Sequence, residues 1–392
     1  MKRYVIIAIT VIVLLSIIVF SFTARIFPSG VKNVFPSPNK ESVVGEPLIE
    51  PPLQAARCAI VIDARTKNTV FAVNADERRG MASTTKIMTA LVAIENGDPD
   101  AEFVIPAEAV GIEGSSVYLK EGETLSLREL LYCLLLESGN DAATAIALHI
   151  GGSTERFADM MNDRAKELGL VNTHFTNPHG LSDKEHYTTA RELAIITAEA
   201  MKHPLFCEIV GTKTAFARYE GRENGRRLVN HNKLLFGFSG ATGVKTGYTR
   251  LDGKCLVSSA ERNGASLIAV TLQDPFPTAT HKAMLDHSFS LLQSVTLAEK
   301  ESLVSEIPII NGDHPFLTVS NPETASLLLP KDCEISIELF LPKELYAPIS
   351  KGTRIGYAVA TADGKDVYII NIEAQESITE VKKTLTEKLF GD

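Results

Sequence analysis

The sequence lacks the features that mark several large classes of protein. It contains no tryptophan, and its five cysteines are far apart, with no Cys-x-x-Cys pair. An odd number of dispersed cysteines argues against a disulfide framework and against a cysteine-based zinc site. The sequence has no basic stripe with interleaved aromatic residues, so we expect no nucleic-acid partner. The net charge of −9 is spread along the chain without long runs of one sign.

Long hydrophobic runs are also few, and the longest lies at the N-terminus. Residues 4–22 carry no charge and follow Lys2 and Arg3, a stretch long enough to cross a bilayer as a helix. Positive charge before the span predicts a cytoplasmic N-terminus and an exported remainder. A cleaved signal peptide is the alternative, but it requires a small-x-small cleavage site. Ala24 has Phe22 two residues before it, so we predict an uncleaved anchor, residues 1–24, on the cytoplasmic membrane.

The remaining sequence has enough apolar residues, 45% of the chain, for two or three domains. Residues 25–54 are rich in proline and predict an extended linker. Between residues 55 and 300, strand patterns at both ends enclose helical patterns. This order predicts a sheet covered by helices. The predicted elements are a hairpin with its turn at residues 64–68, helices from 83, 127, 154 and 190, a strand pair after Lys245 and a closing helix over 281–298.

The character of the sequence changes after residue 300. Short β-type runs separated by Gly, Pro, Asn and Asp predict a small all-β domain over 301–375. The tail, 376–392, places Ile378, Val381, Leu385 and Leu389 on one face of a predicted amphipathic helix. Such a helix could lie on a membrane or pack against its own protein.

The first chemical signal is Ser83-x-x-Lys86. This pattern is weak alone, since one or two chance matches are expected in a chain of this length. Ser37 and Lys40 form such a match inside the proline-rich linker. The flanks of Ser83 favour a helix, on which residues three apart share a face. A partly desolvated Lys86 can lose its charge and act as a base.

Two further motifs follow in the same domain. Ser138-Gly139-Asn140 interrupts an apolar helical pattern, and Lys245-Thr246-Gly247 begins a predicted strand. A helix N-cap and a strand entry would each explain one motif without any chemistry. The chance occurrence of all three motifs in this order is harder to explain. The set Ser-x-x-Lys, Ser-x-Asn and Lys-Thr-Gly is typical of β-lactamases and penicillin-binding proteins.

The sequences around the three motifs, such as "MASTTKIMTALVAIE", "LLESGNDAATAIA" and "VKTGYT", resemble the low-molecular-mass penicillin-binding proteins that act as serine-type D-Ala-D-Ala carboxypeptidases. The resemblance covers roughly residues 56–300 and extends more loosely into the β domain. It implies an α/β (α+β) catalytic domain like that of serine β-lactamases and transpeptidases, followed by a small all-β domain. It also implies binding of β-lactams and of peptidoglycan stem peptides, and it implies neither a cofactor nor a metal.

The resemblance assigns the catalytic roles to three residues. Ser83 attacks the carbonyl between two D-alanines and forms an acyl-enzyme, while Lys86 takes its proton. Ser138 relays a proton to the departing D-alanine.

The resemblance assigns substrate binding to Asn140, which holds the substrate amide, and to the strand of the third motif. Lys245 and Thr246 bind the terminal carboxylate beside Gly247. The backbone N–H groups of Ser83 and Tyr248 form the oxyanion hole.

Two features near the motifs bear on carboxylate and metal binding. Some family members use an arginine before the closing helix for the carboxylate, and this sequence has none there, so we expect His281 to serve in part instead. His179, Asp183 and His186 lie close together, but their spacing matches no compact zinc pattern. We interpret their segment as a structural loop beside the cleft, and residues 113–120 as an exposed loop.

The sequence leaves two other functions open. A class A β-lactamase needs a glutamate that activates the deacylating water; Glu167 and Asn172 approach that pattern, but they are five rather than four residues apart. A penicillin-binding sensor that acylates without turnover is the alternative outside enzymes. The intact Ser83, Lys86 and Ser138 favour the carboxypeptidase over this sensor.

Overall fold

The computed structural model describes residues 56–219 and 225–381, which divide into two units between Ser294 and Val295. The predicted anchor, the proline-rich linker and most of the predicted C-terminal helix lie outside the described residues. Within those residues, no helix is both long and apolar enough to cross a membrane.

The first unit is built on a five-stranded antiparallel sheet. Its order is β2-β1-β9-β8-β7, so the first and last strands of the unit's sequence share one sheet. The strands are β1 (Cys58–Asp63), β2 (Thr69–Val73), β7 (Ala241–Thr249), β8 (Gly253–Arg262) and β9 (Ala265–Leu272). Two small two-stranded sheets accompany it, made of β3 (Glu102–Val104) with β4 (Thr124–Ser126), and β5 (Thr214–Ala217) with β6 (Arg226–Val229). Strand β7 lies at an edge of the main sheet.

Helices fill the sequence between the two strand groups, as predicted. They are α1 (Lys86–Asn96), α2 (Leu127–Leu135), α3 (Asn140–Gly151), α4 (Thr154–Glu167), α5 (Ala190–Ala200), α6 (Pro204–Gly211), α7 (Leu234–Gly237) and α8 (Pro277–Leu291), with 3-10 turns at Ala82–Thr85 and Ala107–Ala109. The start of α2 shows a local cause: Ser126 and Glu129 form a capping box, which satisfies backbone N–H groups at the helix start.

Helix α1 belongs to the core rather than to the surface. Its first eight residues, from Lys86 to Ala93, are all buried. Apolar residues such as Ile87, Met88 and Leu91 join the main hydrophobic cluster of the unit. Because the helix is enclosed on all sides at this end, the amine of Lys86 is forced into a protein environment with little water.

The second unit is all β. Its strands are β11 (Ser305–Ile310), β12 (Phe316–Ser320), β13 (Ala325–Pro330), β14 (Ile335–Phe340), β15 (Leu345–Tyr346), β16 (Arg354–Ala362) and β17 (Lys365–Ala374). Six of them form a sheet in the order β14-β16-β17-β12-β11-β15, and β13 pairs with β10 (Leu292–Ala298).

Two predictions at the borders of this unit were wrong. The closing helix ends at Leu291, and residues 292–298, which include the β-branched Val295 and Thr296, form a strand. The C-terminal helix does not start at residue 376, because Ile378 forms a bridge with Ile349 and is buried in the β core. The apolar spacing of the tail therefore begins with a core residue, and residues 382–392 lie outside the described part.

Candidate active site

The site begins at the 3-10 turn Ala82–Thr85, which we call the nucleophile turn. Ala82 has a φ of +48°, a conformation that L-residues seldom adopt. Thr84 Oγ1 donates to the carbonyl of Met81 at 2.6 Å, and Thr85 Oγ1 donates to the carbonyl of Ala82 at 2.7 Å. Sequence reasoning gave these two threonines no role, and the structure shows that they hold the turn carrying Ser83.

Lys86 follows as the first residue of α1, and its side chain is fully buried. Its Nζ lies 3.1 Å from Ser83 Oγ, 2.7 Å from Asn140 Oδ1 and 2.5 Å from the carbonyl of His179. A carbonyl and an amide oxygen can only accept, so they engage two N–H groups of the amine. The third position, which is a lone pair when the amine is neutral, then faces the hydroxyl of Ser83. This is the geometry of a general base beside a nucleophile.

The electrostatic environment favours the neutral amine. Burial holds the pKa of Lys86 well below its usual range, and the charge of Lys245 lowers it further, against an opposing effect of Asp141. Burial also lowers the pKa of Lys245 to about 7, with Glu137 acting in the opposite direction. The two lysines therefore have different roles. Lys86 is the amine that is neutral and can act as a base, and Lys245 keeps its positive charge below about pH 7.

The second motif lies in the break between α2 and α3. Ser138 has a φ of +62°, and its buried Oγ has no hydrogen-bond partner among the described residues. A buried hydroxyl without a partner costs roughly 1–3 kcal/mol, and such groups concentrate at functional sites. Two residues later, Asn140 contacts Lys86, so the break brings this motif to the nucleophile turn.

The segment 113–120, predicted as an exposed loop, is largely exposed and also borders the site. Asn140 Nδ2 donates to the carbonyl of Glu113 at 2.5 Å, and its backbone N–H donates to the carbonyl of Ser115 at 2.7 Å. Val117 and Leu119 in this segment are buried, whereas Tyr118 is 79% exposed. Only part of the segment is therefore a solvent-exposed loop.

Asp141 explains why this segment is ordered. Its buried carboxylate accepts from the hydroxyl of Ser116 at 2.6 Å and from the backbone N–H groups of Val117 and Leu119 at 3.1 Å. A carboxylate that accepts several hydrogen bonds holds its donors strongly. The only sequence signal for this anchoring of the segment 113–120 was an acidic residue directly after Asn140, and sequence reasoning did not use it.

The third motif lies on the edge strand β7. Lys245 is buried, with its Nζ 2.9 Å from the carbonyl of Thr246. A Cβ at Gly247 would lie 3.0 Å from the backbone nitrogens of Ser83 and Thr84, so any side chain there would push the strand and the nucleophile turn apart. Thr246 is partly buried and Tyr248 is 66% exposed.

The predicted site residues are thus placed in one region by direct contacts. Lys86 contacts Ser83 and Asn140, and Gly247 lies against Ser83, which brings all three motifs together. Ser138 and Thr246 follow by their adjacency to these residues in the chain.

His281 does not replace the absent arginine, and this prediction was wrong. Its ring is fully buried in α8, with its nitrogens 3.0 Å from Thr271 Oγ1 and 2.9 Å from Ser258 Oγ. Burial lowers the pKa of His281 to about 3, so the ring is neutral at physiological pH. A neutral, enclosed imidazole cannot supply a charge to a bound carboxylate.

The loop that contains His179, Asp183 and His186 supports the base. His179 contributes its carbonyl to Lys86, and buried His186 lies 2.8 Å from the Oγ1 of Thr85. Among the described residues, no group of three His, Cys, Asp or Glu side chains is arranged to hold a metal. The loop predicted to lie beside the cleft is therefore part of the site, although no sequence pattern indicated that the carbonyl of His179 would contact Lys86.

The two residues that approach the β-lactamase pattern have other partners. Glu167 is an exposed partner of Arg164, and Asn172 accepts from Arg78. Neither is a hydrogen-bond partner of Ser83 or Lys86 in the described structure, which gives the β-lactamase alternative no support.

Comparison with known proteins agrees with this geometry. Residues 47–275 match the Peptidase S11 family, described as D-alanyl-D-alanine carboxypeptidase, and residues 292–380 match the C-terminal domain of penicillin-binding protein 5. D-alanyl-D-alanine carboxypeptidase DacF of Bacillus subtilis is 33% identical over 84% of this chain and 89% of its own length. DacC of Escherichia coli is 30% identical over 86% and 87%.

Solved structures give the same result. Penicillin binding protein 5 from Haemophilus influenzae matches with a TM-score of 0.75 and 30% identity, over 85% of this chain and 100% of that one. DacD from Francisella tularensis matches with a TM-score of 0.64 and 28% identity, over 88% and 100%. The predicted fold class, a mixed α/β catalytic domain followed by an all-β domain, is confirmed. The chain belongs to the Peptidase S11 family of D-alanyl-D-alanine carboxypeptidases.

Proposed function

We propose that the protein is a serine-type carboxypeptidase that removes the terminal D-alanine from peptidoglycan stem pentapeptides through an acyl-enzyme on Ser83. The observation that carries this proposal is the position of Lys86 Nζ, 3.1 Å from Ser83 Oγ and held by Asn140 and His179. Membership of the Peptidase S11 family supplies the substrate class.

Acylation begins when neutral Lys86 accepts the proton of the Ser83 hydroxyl. The serine oxygen attacks the carbonyl carbon of the penultimate D-alanine, and negative charge develops on the carbonyl oxygen. The backbone N–H groups of Ser83 and Tyr248 receive that charge. The 3.0 Å approach of a Cβ at Gly247 to the nitrogen of Ser83 supports this pairing, because Gly247 is the neighbour of Tyr248.

Collapse of the tetrahedral intermediate breaks the peptide C–N bond. The departing nitrogen needs a proton, and Ser138 passes one on from protonated Lys86, which becomes neutral again. The buried Ser138 hydroxyl supports this role, because it has no hydrogen-bond partner among the described residues. Water then attacks the ester, which frees the shortened peptide and restores the Ser83 hydroxyl.

The terminal carboxylate of the substrate binds at Lys245 and Thr246. Among the described residues, strand β7 pairs in its sheet only with β8, so its other edge can receive an extended peptide. The ammonium of Lys245 and the hydroxyl of Thr246 attract the carboxylate at the start of this edge, and Asn140 holds the substrate amide. β-Lactams carry a carboxylate and a reactive carbonyl in the same relation, and they acylate Ser83 as covalent inhibitors.

The direct test is mass spectrometry of a pentapeptide ending in D-Ala-D-Ala after incubation with residues 55–392. We expect loss of one alanine and, with a fluorescent penicillin, covalent labelling of one serine. Ser83→Ala abolishes both, whereas Ser37→Ala, in the chance copy of the motif, leaves the full-length enzyme unchanged. Labelling of Ser83→Ala at the wild-type stoichiometry would show that the nucleophile is another residue.

The alternatives give different results in the same experiment. A wild-type protein that labels but releases no D-alanine is a penicillin-binding sensor. Rapid penicillin hydrolysis with no release of D-alanine identifies a β-lactamase. Release of D-alanine with slow penicillin hydrolysis is the result expected of the carboxypeptidase.

We also propose that the protein works outside the cytoplasm, attached to the outer face of the cytoplasmic membrane by residues 1–24. The uncharged residues 4–22 and the preceding Lys2 and Arg3 support this proposal. The full-length chain is expected in the membrane fraction after high-salt washing, and residues 55–392 in the soluble fraction. If N-terminal sequencing of the mature protein gave a sequence that begins after Ala24, residues 1–24 would instead be a cleaved signal peptide.

A further inference from the structure

Asp252 occupies a junction that the proposed mechanism leaves without a role. It lies in the three-residue turn between β7 and β8, directly after the strand that carries Lys245. Its Oδ2 accepts from the backbone N–H of Ala82 at 3.1 Å and lies 3.1 Å from Ser182 Oγ. One carboxylate oxygen therefore joins three separate segments of the site.

Each of these segments carries a different part of the catalytic apparatus. Ala82 directly precedes Ser83, and Ser182 belongs to the loop whose carbonyl at His179 holds Lys86. The backbone N–H of Asp252 also donates to Thr249 Oγ1 at 2.8 Å, which fixes the turn to the end of β7.

The carboxylate completes the support of an unusual backbone conformation. Ala82 has a positive φ, which costs an L-residue on the order of 1–3 kcal/mol and persists only when its surroundings hold it. Its carbonyl receives the hydroxyl of Thr85, and its N–H is held by Asp252. Without the carboxylate, the backbone N–H of Ala82 loses its charge-assisted hydrogen bond.

Gly80 shows how closely the carboxylate fits. A Cβ at Gly80 would lie 2.1 Å from Asp252 Oδ1 and 2.5 Å from its Cγ. Gly80 does not have a positive φ, so the need for glycine comes from the carboxylate and not from the backbone. An alanine at position 80 must push the carboxylate away by about 1 Å, enough to break its bond with Ala82.

We propose that Asp252 is a positioning residue for acylation, which fixes the backbone at Ser83 relative to β7 and to the loop that holds Lys86. The inference rests on the proposed role of Ser83 as the nucleophile. Asp252 touches neither Ser83 Oγ nor Lys86 Nζ in the described structure, so its effect passes through the backbone of Ala82. Displacement of a nucleophile by a fraction of an ångström slows its reaction strongly even when the substrate still binds.

The test is stopped-flow acylation by a fluorescent penicillin over a range of concentrations, which separates the limiting rate from the half-saturating concentration. Asp252→Ala is expected to lower the limiting rate about tenfold and to change the half-saturating concentration less than about twofold. Asp252→Asn keeps an oxygen that accepts from Ala82 and is expected to stay within about threefold of the wild-type rate. Asp159→Ala, at an exposed aspartate of α4, is the matched control and leaves both values unchanged.

Gly80→Ala tests the same contact without removing the carboxylate. Alone, it is expected to reproduce the defect of Asp252→Ala, since it displaces the carboxylate. Combined with Asp252→Ala, it is expected to add no further loss, because the steric conflict is gone. Asp252→Asn and Gly80→Ala keep the test decisive if Asp252→Ala does not fold.

Three results would overturn the inference: a wild-type limiting rate for Gly80→Ala, additive losses in the double variant, or a change confined to the half-saturating concentration. Each of these leaves the proposed function intact as long as the wild type labels at Ser83. Penicillin labelling that survives Ser83→Ala would instead refute the proposed function itself.

Discussion

Replacement of Asn140 by aspartate should move the pH dependence of acylation in one direction. The Oδ1 of Asn140 lies 2.7 Å from Lys86 Nζ, so Asn140→Asp places a carboxylate against a buried amine. An opposite charge at this distance favours the protonated amine. The pKa of Lys86 therefore rises, and the neutral base becomes scarcer at any given pH below it.

The size of the shift follows from the distance. At 2.7 Å and an effective dielectric constant of about 20, the Coulomb interaction is roughly 6 kcal/mol. Measured shifts for carboxylates beside cations are smaller, about 1–3 pKa units. At pH values below the pKa of Lys86 in both proteins, the acylation rate of Asn140→Asp should therefore be about 10- to 1,000-fold lower than that of the wild type, since each pKa unit corresponds to a factor of ten.

The assay is the second-order rate constant of acylation by a fluorescent penicillin, measured from acid to alkaline pH. The acidic limb of Asn140→Asp should move to higher pH by about 1–3 units, so its deficit relative to the wild type at the same pH should shrink as the pH rises. Asn140→Ser is the neutral control, expected to lower the rate without moving the limb upwards. An unmoved acidic limb in Asn140→Asp, with only a lower rate at every pH, would refute the assignment of Lys86 as the base.

Three further predictions follow from other parts of the structure. Gly247→Ala should slow acylation at least about tenfold, because the Cβ would lie 3.0 Å from backbone nitrogens of the nucleophile turn, whereas Gly237→Ala, with its nearest neighbour 3.8 Å away, should not. Penicillin acylation should decline above about pH 7 as Lys245 loses its proton, and Lys245→Arg should flatten this limb because a guanidinium stays charged, as rate measurements against pH will show. Glu123→Ala should lower the free energy of unfolding by about 3 kcal/mol in urea denaturation, because it leaves buried Arg226 without its carboxylate partner, and Glu123→Gln should lose less.

Local patterns predicted most of the secondary structure of the first unit. The hairpin β1–β2, the break between α2 and α3 and the strand pair β8–β9 are marked by apolar periodicity and turn residues. The strand at 292–298 was missed because its apolar residues also fit the end of the preceding helix. The bridge at Ile378 was missed for a similar reason, since a core residue and a helix face produce the same spacing.

The site was predictable where the chemistry lies in short motifs. Ser83, Lys86, Asn140 and Lys245 are recognised by residue type, spacing and order. The carbonyl of His179 cannot be recognised in this way, because every residue has a carbonyl and only the path of the loop decides which one meets the amine. The same limit applied to His281, whose place beyond Lys245 in sequence gave no sign of its burial.

The sequence by itself determined the chemical groups of this protein, their order along the chain and the helices and strands that carry them. The tertiary structure alone decided which groups meet, because contacts across long stretches of chain depend on how the elements pack. Burial of α1 removes water from Lys86 and lowers its pKa, which turns an ordinary lysine into a base. The approach of β7 to the nucleophile turn, permitted by the absence of a side chain at Gly247, then sets the carboxylate-binding strand beside Ser83.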